Sequence, residues 1–216
     1  MTTIDTLDDL QKGIEALARR EPRFAAMMRE TGMPPLRRRD GGYRGLLNIV
    51  TGQQVSTASA AAIWARMEES LSPLEPGHLD GLDDTRLQAA GLSRPKIRTI
   101  RSLTRAVLDG TLDLDRLGAM ADEEVHAALT AIKGIGPWTA DVYLLACLGR
   151  RDAWPAGDLA LQTATAAAFG LDTRPDARRM QALGMPWRPW RAVAARLIWA
   201  YYRTLPSNRN RIPDPI

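Results

Sequence analysis

Two glycines and a proline precede a helical pattern in the segment K-G-I-G-P-W at residues 133–138. Glycine adopts turn conformations that strain other residues, and proline is favoured at the first position of a helix. Gly134, Gly136 and Pro137 therefore predict a hairpin that opens directly into a helix. The amide N–H groups of such a turn and the positive end of the helix dipole can bind an anion, most usefully a phosphate. The alternative is a helix–helix turn that needs glycine for steric reasons alone.

A single acid, Asp158, follows a P-A-G turn 22 positions after Gly136. An aspartate here can cap the helix predicted from Leu159 onward, because its side chain accepts hydrogen bonds from N–H groups of the first turn. A carboxylate in this place can also stabilise positive charge in a reaction. Spacing alone favours the cap, and the two roles are compatible.

The scarcity of sulfur and imidazole ligands excludes several kinds of site. Cys147 is the one cysteine of the 216 residues, so intrachain disulfides, cysteine-based zinc sites and cysteine-ligated iron–sulfur clusters are excluded. It lies in an apolar helical pattern and is expected in the core. The two histidines, His78 and His126, lack metal-ligand spacing and are expected to be structural or exposed.

The chain is weakly basic, with a net charge of +4 and a sequence pI of about 9.6. Arginine supplies nearly all the positive charge, and arginine suits bidentate contacts to phosphate. A compositional bias towards alanine and arginine would give the same charge, so this signal for a nucleic-acid partner is modest. No apolar run reaches the roughly 20 residues of a membrane span. The acidic N-terminus lacks a signal-peptide pattern, which predicts a cytoplasmic protein without a membrane partner.

The elements that must position these groups are predicted to be helices. Thr6 and Asp9 have capping-box spacing, and apolar residues then recur at helical intervals along most of the chain. No stretch alternates as a strand would. The fold class is therefore all-α, with about ten helices, a loop of at most one turn at residues 72–81, and a polar tail that is expected to fray. The predicted helices lie near residues 7–18, 22–32, 43–50, 58–71, 84–90, 96–109, 122–131, 158–169, 175–183 and 187–204, with a further apolar helical pattern after Pro137.

Several motifs in combination resemble the helix-hairpin-helix DNA glycosylase superfamily, and within it the alkylation-repair branch, DNA-3-methyladenine glycosylase II. Beside the hairpin and Asp158, they are I-V-T-G-Q-Q-V-S at 49–56, G-L-S-R-P-K at 91–96 and W-R-P-W-R at 187–191. The resemblance covers roughly residues 5–204. It implies two helical lobes with a DNA-binding cleft between them: a central lobe at about 40–150, and a second lobe at about 1–39 plus 151–205, followed by the tail 206–216. The larger members carry an extra N-terminal domain, for which this chain has no room.

The resemblance also implies roles for individual residues. Asp158 matches the catalytic aspartate, and Trp138 and Trp199 match tryptophans of the base pocket. Val142 stands where some members have an aromatic residue, so the pocket wall is either more open or completed by Tyr143. Gln54 matches the wedge that fills the gap left by the flipped base. The DNA-binding set is Lys133, Gly134, Ile135, Gly136 and Thr139 on the hairpin, with Gln53 and Gln54. No cofactor is required, although the backbone carbonyls of Thr130, Ile132 and Gly134 match a possible Na⁺ or K⁺ site.

The expected activity is that of a monofunctional DNA glycosylase in base excision repair, which flips out an alkylated purine of the 3-methyladenine or 7-methylguanine type. Members with lyase activity carry a lysine two residues past the second glycine, where this chain has Trp138. Hydrolysis would then leave an abasic site. The expected partner is double-stranded DNA with a damaged base, bound by a monomer near the nucleoid. The alternatives are a relative acting on deaminated bases, since the pocket selects the base, and a non-catalytic DNA-binding protein that keeps the hairpin.

Overall fold

The computed structural model describes residues 3–206. The tail that was expected to fray lies outside the described residues from residue 207 onward. Twelve α-helices occupy this range. They are α1 (Leu7–Arg20), α2 (Pro22–Thr31), α3 (Gly42–Gly52), α4 (Thr57–Ser70), α5 (Pro76–Gly81), α6 (Asp84–Ala89), α7 (Arg94–Leu108), α8 (Asp122–Thr130), α9 (Pro137–Val142), α10 (Leu159–Phe169), α11 (Ala177–Gly184) and α12 (Arg191–Thr204). Short 3₁₀ segments at Arg116–Gly118 and Met185–Trp187 and a π-helical segment at Tyr143–Cys147 complete the elements.

The all-α prediction is confirmed. Within residues 3–206 the β-structure is limited to an isolated bridge between Thr3 and Arg150. None of the helices in this range has the length and hydropathy that crossing a bilayer requires.

Backbone contacts divide the described residues into two compact units. The terminal unit contains residues 3–38 and 149–206, and the central unit contains residues 39–148. Each unit has a core of its own, and each carries part of the residue set that the sequence singles out.

Helix α12 forms the centre of the terminal unit. Every residue from Ala192 to Ala200 is buried, and the helix packs against α1, α2 and α10. An aromatic group closes one side of this core, where the ring of Trp187 meets Phe24 and Trp154 edge-on at centroid distances of 5.2 and 5.3 Å. Burial on all sides over the nine residues from Ala192 to Ala200 explains why they are rich in alanine and apolar residues. Arg196, the charged residue among them, donates to the carbonyls of Leu36 at 2.9 Å and Ala192 at 3.0 Å.

The central unit is organised around α3 and α7. Ile97, Ile100 and Leu103 form the buried stripe of α7, and Leu46, Leu47 and Val50 are buried on α3. Helices α8 and α9 then lead away from and back into this core, and the π-helical segment continues α9 as a fully buried stretch.

Local sequence signals account for where several helices begin. The predicted capping box at α1 is confirmed: Thr6 Oγ1 accepts from the N–H of Asp9 at 3.1 Å, and Asp9 Oδ2 accepts from the N–H of Thr6 at 3.0 Å. Pro22 stands at the first position of α2, as the sequence predicts.

Two local predictions were incomplete. Residues 72–81 were expected to be a loop with at most one turn, but Pro76–Gly81 forms α5, which packs on α7. Pro76 stands at the first helical position, where proline is favoured, and tertiary contact outweighs the low helix propensity of two glycines in six residues. The apolar helix after Pro137 changes to π geometry at Tyr143, where the N–H of Leu148 donates to the carbonyl of Tyr143 at 3.0 Å.

The close contact between α1 and α12 depends on the absence of a side chain at Gly13. A Cβ on this residue would lie 2.7 Å from Val193 Cγ2 and 2.9 Å from the ring of Trp190. We expect Gly13→Ala to lower the free energy of unfolding by about 1–3 kcal/mol, as overpacking in a rigid core does. Urea denaturation measures the change. Gly77→Ala is the matched control, because no atom lies within 4 Å of its added Cβ; equal stability of the two variants would contradict the packing argument.

Candidate functional site

The hairpin between α8 and α9 has the geometry that its sequence predicts. Helix α8 ends at Thr130, and the N–H of Ile135 donates to the carbonyl of Ile132 at 3.0 Å to close the turn. Gly136 is the N-cap of α9, with no side chain to cap it, and Pro137 is the first helical residue. The turn is anchored by Ile135, which is buried, while Lys133 is exposed.

The two glycines of the hairpin are required for different reasons. Gly134 has φ of +94°, and a Cβ on it would lie 2.0 Å from Thr99 Oγ1 of α7. Its lack of a side chain is therefore imposed from inside the protein. Gly136 has an extended backbone with φ of −96°, and a Cβ there would meet no atom within 4 Å. Nothing inside the fold requires glycine at 136, so the free space there is available to a molecule approaching from outside.

The backbone N–H groups of Gly134 and Gly136 indicate that this turn can bind an anion. Neither Gly134 nor Gly136 donates a backbone hydrogen bond within the part of the chain that the structure describes. The two N–H groups lie two residues apart, immediately before the positive end of α9, whose first residue, Pro137, has no N–H of its own. This arrangement can bind the oxygens of a phosphate.

Gln53 links the end of α3 to the hairpin. Its Nε2 donates to Thr139 Oγ1 at 2.8 Å and to the carbonyl of Gly134 at 3.3 Å. Thr139 is buried. The predicted DNA-binding residues Gln53, Gly134 and Thr139 are thus brought together within the central unit, although Gln53 and Thr139 serve the internal structure of the site. Contact of either side chain with DNA stays a prediction.

The possible cation site can be compared with the contacts of its carbonyls. The carbonyl of Gly134 accepts from Gln53, and that of Ile132 accepts from the N–H of Ile135. Each of these two oxygens has one lone pair left for another partner. A Na⁺ or K⁺ ion held by Thr130, Ile132 and Gly134 stays a prediction. Residues 3–206 contain no cluster of three or more histidine, cysteine or acidic side chains suited to a metal.

Gln54 follows directly and is exposed, with φ of +55°. A non-glycine residue in the left-handed region is uncommon, and such strain is often found at functional positions. The exposure and the backbone conformation fit a side chain that projects from the surface, as the wedge role requires.

Asp158 lies in the terminal unit and is both a cap and an anchored carboxylate. Its Oδ1 accepts from the N–H of Leu161 at 2.8 Å and from Trp199 Nε1 at 3.0 Å. The side chain of Gln162 braces the preceding turn by donating to the carbonyl of Ala156 at 2.9 Å. Asp158 is 8% exposed. The capping interpretation is confirmed, and the catalytic role, which is compatible with it, stays a prediction.

The three predicted pocket aromatics have different surroundings. Trp199 is fully buried, and its indole holds Asp158 in place. Tyr143 is also buried, and its hydroxyl accepts from the N–H of Gly42 at 2.9 Å; burial raises the pKa of Tyr143 to about 12. Trp138 is half-buried in the first turn of α9. Of the three, Trp138 has the exposure most suited to stacking on a base, and base contact by any of them stays a prediction.

Three contacts of the site were missed by sequence reasoning. They are the bond from Trp199 to Asp158, the contact of Thr99 with Gly134, and a bond from Lys96 Nζ to the carbonyl of Thr51 at 2.6 Å. Each joins residues at least 35 positions apart, beyond the reach of local spacing. Only the bond from Trp199 to Asp158 had a signal in the sequence, because a buried indole N–H usually finds a hydrogen-bond acceptor.

Comparison with known proteins agrees with this geometry. Residues 47–189, about two thirds of the chain, match the family model of the HhH-GPD superfamily base excision DNA repair proteins. The alkylbase DNA glycosidase-like protein mag2 of Schizosaccharomyces pombe is 28% identical over 162 residues, which cover 73% of this chain and 76% of mag2. The putative DNA-3-methyladenine glycosylase YfjP of Bacillus subtilis is 29% identical over 165 residues, covering 73% of this chain but only 58% of YfjP.

A solved structure is similar over most of its length. The 3-methyladenine DNA glycosylase Mag1 of Schizosaccharomyces pombe, in complex with abasic DNA, superposes with a TM-score of 0.81 at 26% identity. The similarity covers 89% of this chain and 96% of Mag1.

The distinction between the two glycines can be tested by stability. We expect Gly134→Ala to cost more than about 2 kcal/mol, because the positive φ and the contact with Thr99 both oppose a side chain. Gly136→Ala should cost at most about 1 kcal/mol, the penalty of alanine at an N-cap, because an added Cβ would meet no internal atom within 4 Å. Urea denaturation of both variants makes the comparison. A large loss for Gly136→Ala would show that this glycine also serves the fold.

Proposed function

The chain belongs to the HhH-GPD superfamily of base excision DNA repair proteins, and from this membership we propose that it is a DNA glycosylase that releases alkylated purines. The observation that carries the proposal is the anchored carboxylate of Asp158, which accompanies a phosphate-binding hairpin in the same chain. A protein that only held DNA would have no use for such an acid beyond the helix cap. The names of the three relatives described above, which are of the alkylbase or 3-methyladenine type, support this substrate class.

In this proposal the hairpin binds the DNA backbone. The N–H groups of Gly134 and Gly136 donate to a backbone phosphate, and the absence of a side chain at 136 lets the strand approach. Lys133 adds a positive charge beside them. Contacts of this kind are independent of base sequence, as a protein that surveys any DNA requires.

The damaged base must leave the helix before it can be attacked. Extrusion costs a few kcal/mol, and a damaged base pairs poorly, which lowers this cost. The exposed Gln54 fills the gap and can hydrogen-bond the base left opposite. Its amide is polar where an apolar wedge would intercalate more strongly. We therefore expect lesions that are already weakly paired to be the better substrates.

The bond cleavage uses a single carboxylate. Loss of the base gives the deoxyribose oxocarbenium character, as in the hydrolysis of glycosides. Asp158 stabilises this positive charge and orients the attacking water. Since Oδ1 is fixed by Leu161 and Trp199, the carboxylate keeps its orientation during the reaction. An alkylated purine is already cationic, so it leaves without a separate acid to protonate it.

A cationic base also suits an indole surface. The negative face of the ring attracts the positive charge of the alkylated purine. Trp138, half-buried at the start of α9, is the proposed stacking partner. Trp199 contributes indirectly, through its hold on Asp158.

We further propose that the enzyme is monofunctional and acts as a monomer. Trp138 stands at the position where a lysine nucleophile would be needed for strand cleavage through a Schiff base. The product is then an abasic site with an intact sugar–phosphate backbone.

Replacing Asp158 with asparagine tests the catalytic role. Asn keeps Oδ1 as an acceptor for Leu161 and Trp199 but removes the negative charge, so the cap and fold should survive. We expect release of 3-methyladenine from duplex DNA to fall by at least about 10²-fold, the magnitude typical of lost transition-state stabilisation. Chromatography of released base measures the rate, and binding to DNA with an abasic analogue should persist.

The control for this experiment is Asp176→Asn, which changes an aspartate that caps α11 in the same unit. It should retain full activity. Full activity of Asp158→Asn would remove its assigned role, and failure of the wild-type protein to release any alkylated base would overturn the proposed function. Release of deaminated bases alone would favour the related activity. Borohydride trapping of a protein–DNA adduct would contradict the monofunctional assignment.

Introducing a negative charge at the hairpin tests whether the hairpin binds the DNA backbone. Gly136→Asp places a carboxylate in the space proposed for a phosphate, where it repels DNA without meeting internal atoms. We expect the affinity for DNA to fall at least about tenfold, and by a similar factor for duplexes of every sequence, because the contact is to the backbone. Fluorescence anisotropy on several duplexes measures it, with Gly136→Ala as the uncharged control. A loss confined to some sequences would contradict backbone binding.

A further inference from the structure

Lys96 is a buried lysine that the proposed reaction does not use. It lies in the first turn of α7 and is 7% exposed. Its Nζ donates to the carbonyl of Thr51 at 2.6 Å, and in the described part of the chain no carboxylate forms an ion pair with it. Burial lowers the pKa of Lys96, because removing an ammonium from water disfavours its charged form. Keeping a charge in this place costs free energy that an apolar side chain would not.

The acceptor of this bond explains what the charge can do. Thr51 is in the last turn of α3, where carbonyls lack intrahelical partners and the helix dipole is negative. A cation that donates to a carbonyl there fixes the end of the helix. The chain leaves α3 at Gly52 and passes immediately into Gln53 and Gln54, here called the wedge segment.

The wedge segment needs to be held from outside, because its backbone is strained. Gln54 has φ of +55°, a conformation that persists only when surrounding contacts determine it. On one side, Gln53 is held by Thr139 and the carbonyl of Gly134. On the other side, Lys96 holds the residue two positions before Gln53.

Helix α7 joins these two sides. Lys96 contacts the end of α3, and Thr99, three residues later on the same helix, packs against Gly134 of the hairpin. One rigid helix thus sets the position of the wedge segment relative to the phosphate-binding glycines, entirely within the central unit. A shift of either contact would move the wedge against the DNA strand that the hairpin holds.

From this arrangement we propose that Lys96 is a positioning residue for base extrusion: it fixes the carbonyl end of α3 so that Gln54 enters the duplex in register with the hairpin. The proposal rests on the proposed function. Lys96 contacts neither DNA nor the reacting atoms, so its removal affects the flipping of a paired base rather than the cleavage of the glycosidic bond.

The test compares one lesion in two duplexes. In the first the lesion is paired with a normal base, and in the second it faces an abasic analogue, so that little pairing opposes extrusion. For Lys96→Met we expect release from the first duplex to fall about tenfold, matching the loss of an anchor on a strained residue. Release from the second duplex should stay within about twofold of wild type, because the chemical step is unchanged.

Further variants distinguish positioning from a merely structural role. Gln54→Ala should reproduce the same selective loss, and Lys96→Arg, which keeps a cationic donor, should recover part of the activity. Lys12→Met removes an exposed lysine of α1 and should leave both rates unchanged. The melting midpoint of Lys96→Met should stay close to that of wild type, since removal of a buried charge offsets the loss of one hydrogen bond to the carbonyl of Thr51.

A second measurement does not depend on activity. Hydrogen exchange of the free protein should be faster across residues 52–56 in Lys96→Met and unchanged across α12. Equal losses on both duplexes, or a lowered melting midpoint with faster exchange throughout, would overturn the positioning role. Release rates and hydrogen exchange of Lys96→Met equal to those of wild type would also overturn the positioning role. If wild-type protein released no base, the proposed function would fail, while the exchange pattern would still decide whether Lys96 anchors the wedge segment.

Discussion

One oxygen of Asp158 receives two hydrogen bonds, and the terminal unit is arranged so that both donors are in place. The N–H of Leu161 is provided by the first turn of α10, and Trp199 Nε1 by the middle of α12. Trp199 is fully buried, so its indole cannot turn away without disturbing the packing of α12 against α1, α2 and α10. A buried carboxylate needs such donors to offset the loss of water. The core of this unit therefore determines the orientation of the acid that the proposed reaction uses.

The central unit has an analogous dependence on α7. Thr99 packs against the hairpin at Gly134, and Lys96 bonds the carbonyl of Thr51 at the end of α3, just before the wedge segment. Gly134 serves this internal contact, whereas Gly136 leaves space on the outside. The two glycines of the hairpin therefore differ: Gly134 serves a contact inside the fold, and Gly136 is the one proposed to let a ligand approach.

Much of this could be predicted from the sequence where the signal is local. The Thr6–Asp9 capping box, the hairpin before Pro137 and the cap at Asp158 all depend on residues within four positions of one another. The family resemblance added the DNA glycosylase superfamily, which the match over residues 47–189 confirms.

The remainder was hidden for a physical reason. Trp199 and Asp158, or Lys96 and Thr51, meet only after helices pack, and no spacing rule relates them. The same holds for α5, whose two glycines are poor helix formers, and for the π geometry at Tyr143–Cys147, which has no sequence signature of its own. The roles of individual site residues depend on DNA contacts and stay predictions.

The helix cap at Asp158, which is also the proposed catalytic acid, bears on how inactive relatives could be recognised. Because α10 is capped by this side chain, a protein that had lost its chemistry would still gain about 1 kcal/mol from an aspartate at this position. Presence of the acid alone is therefore a poor diagnostic of an active enzyme. The buried indole that donates to it is more informative, since helix capping does not require a tryptophan 41 residues downstream. Surveys of genomes that look for the aspartate together with the tryptophan would test whether the pair marks the proposed active site better than the aspartate alone.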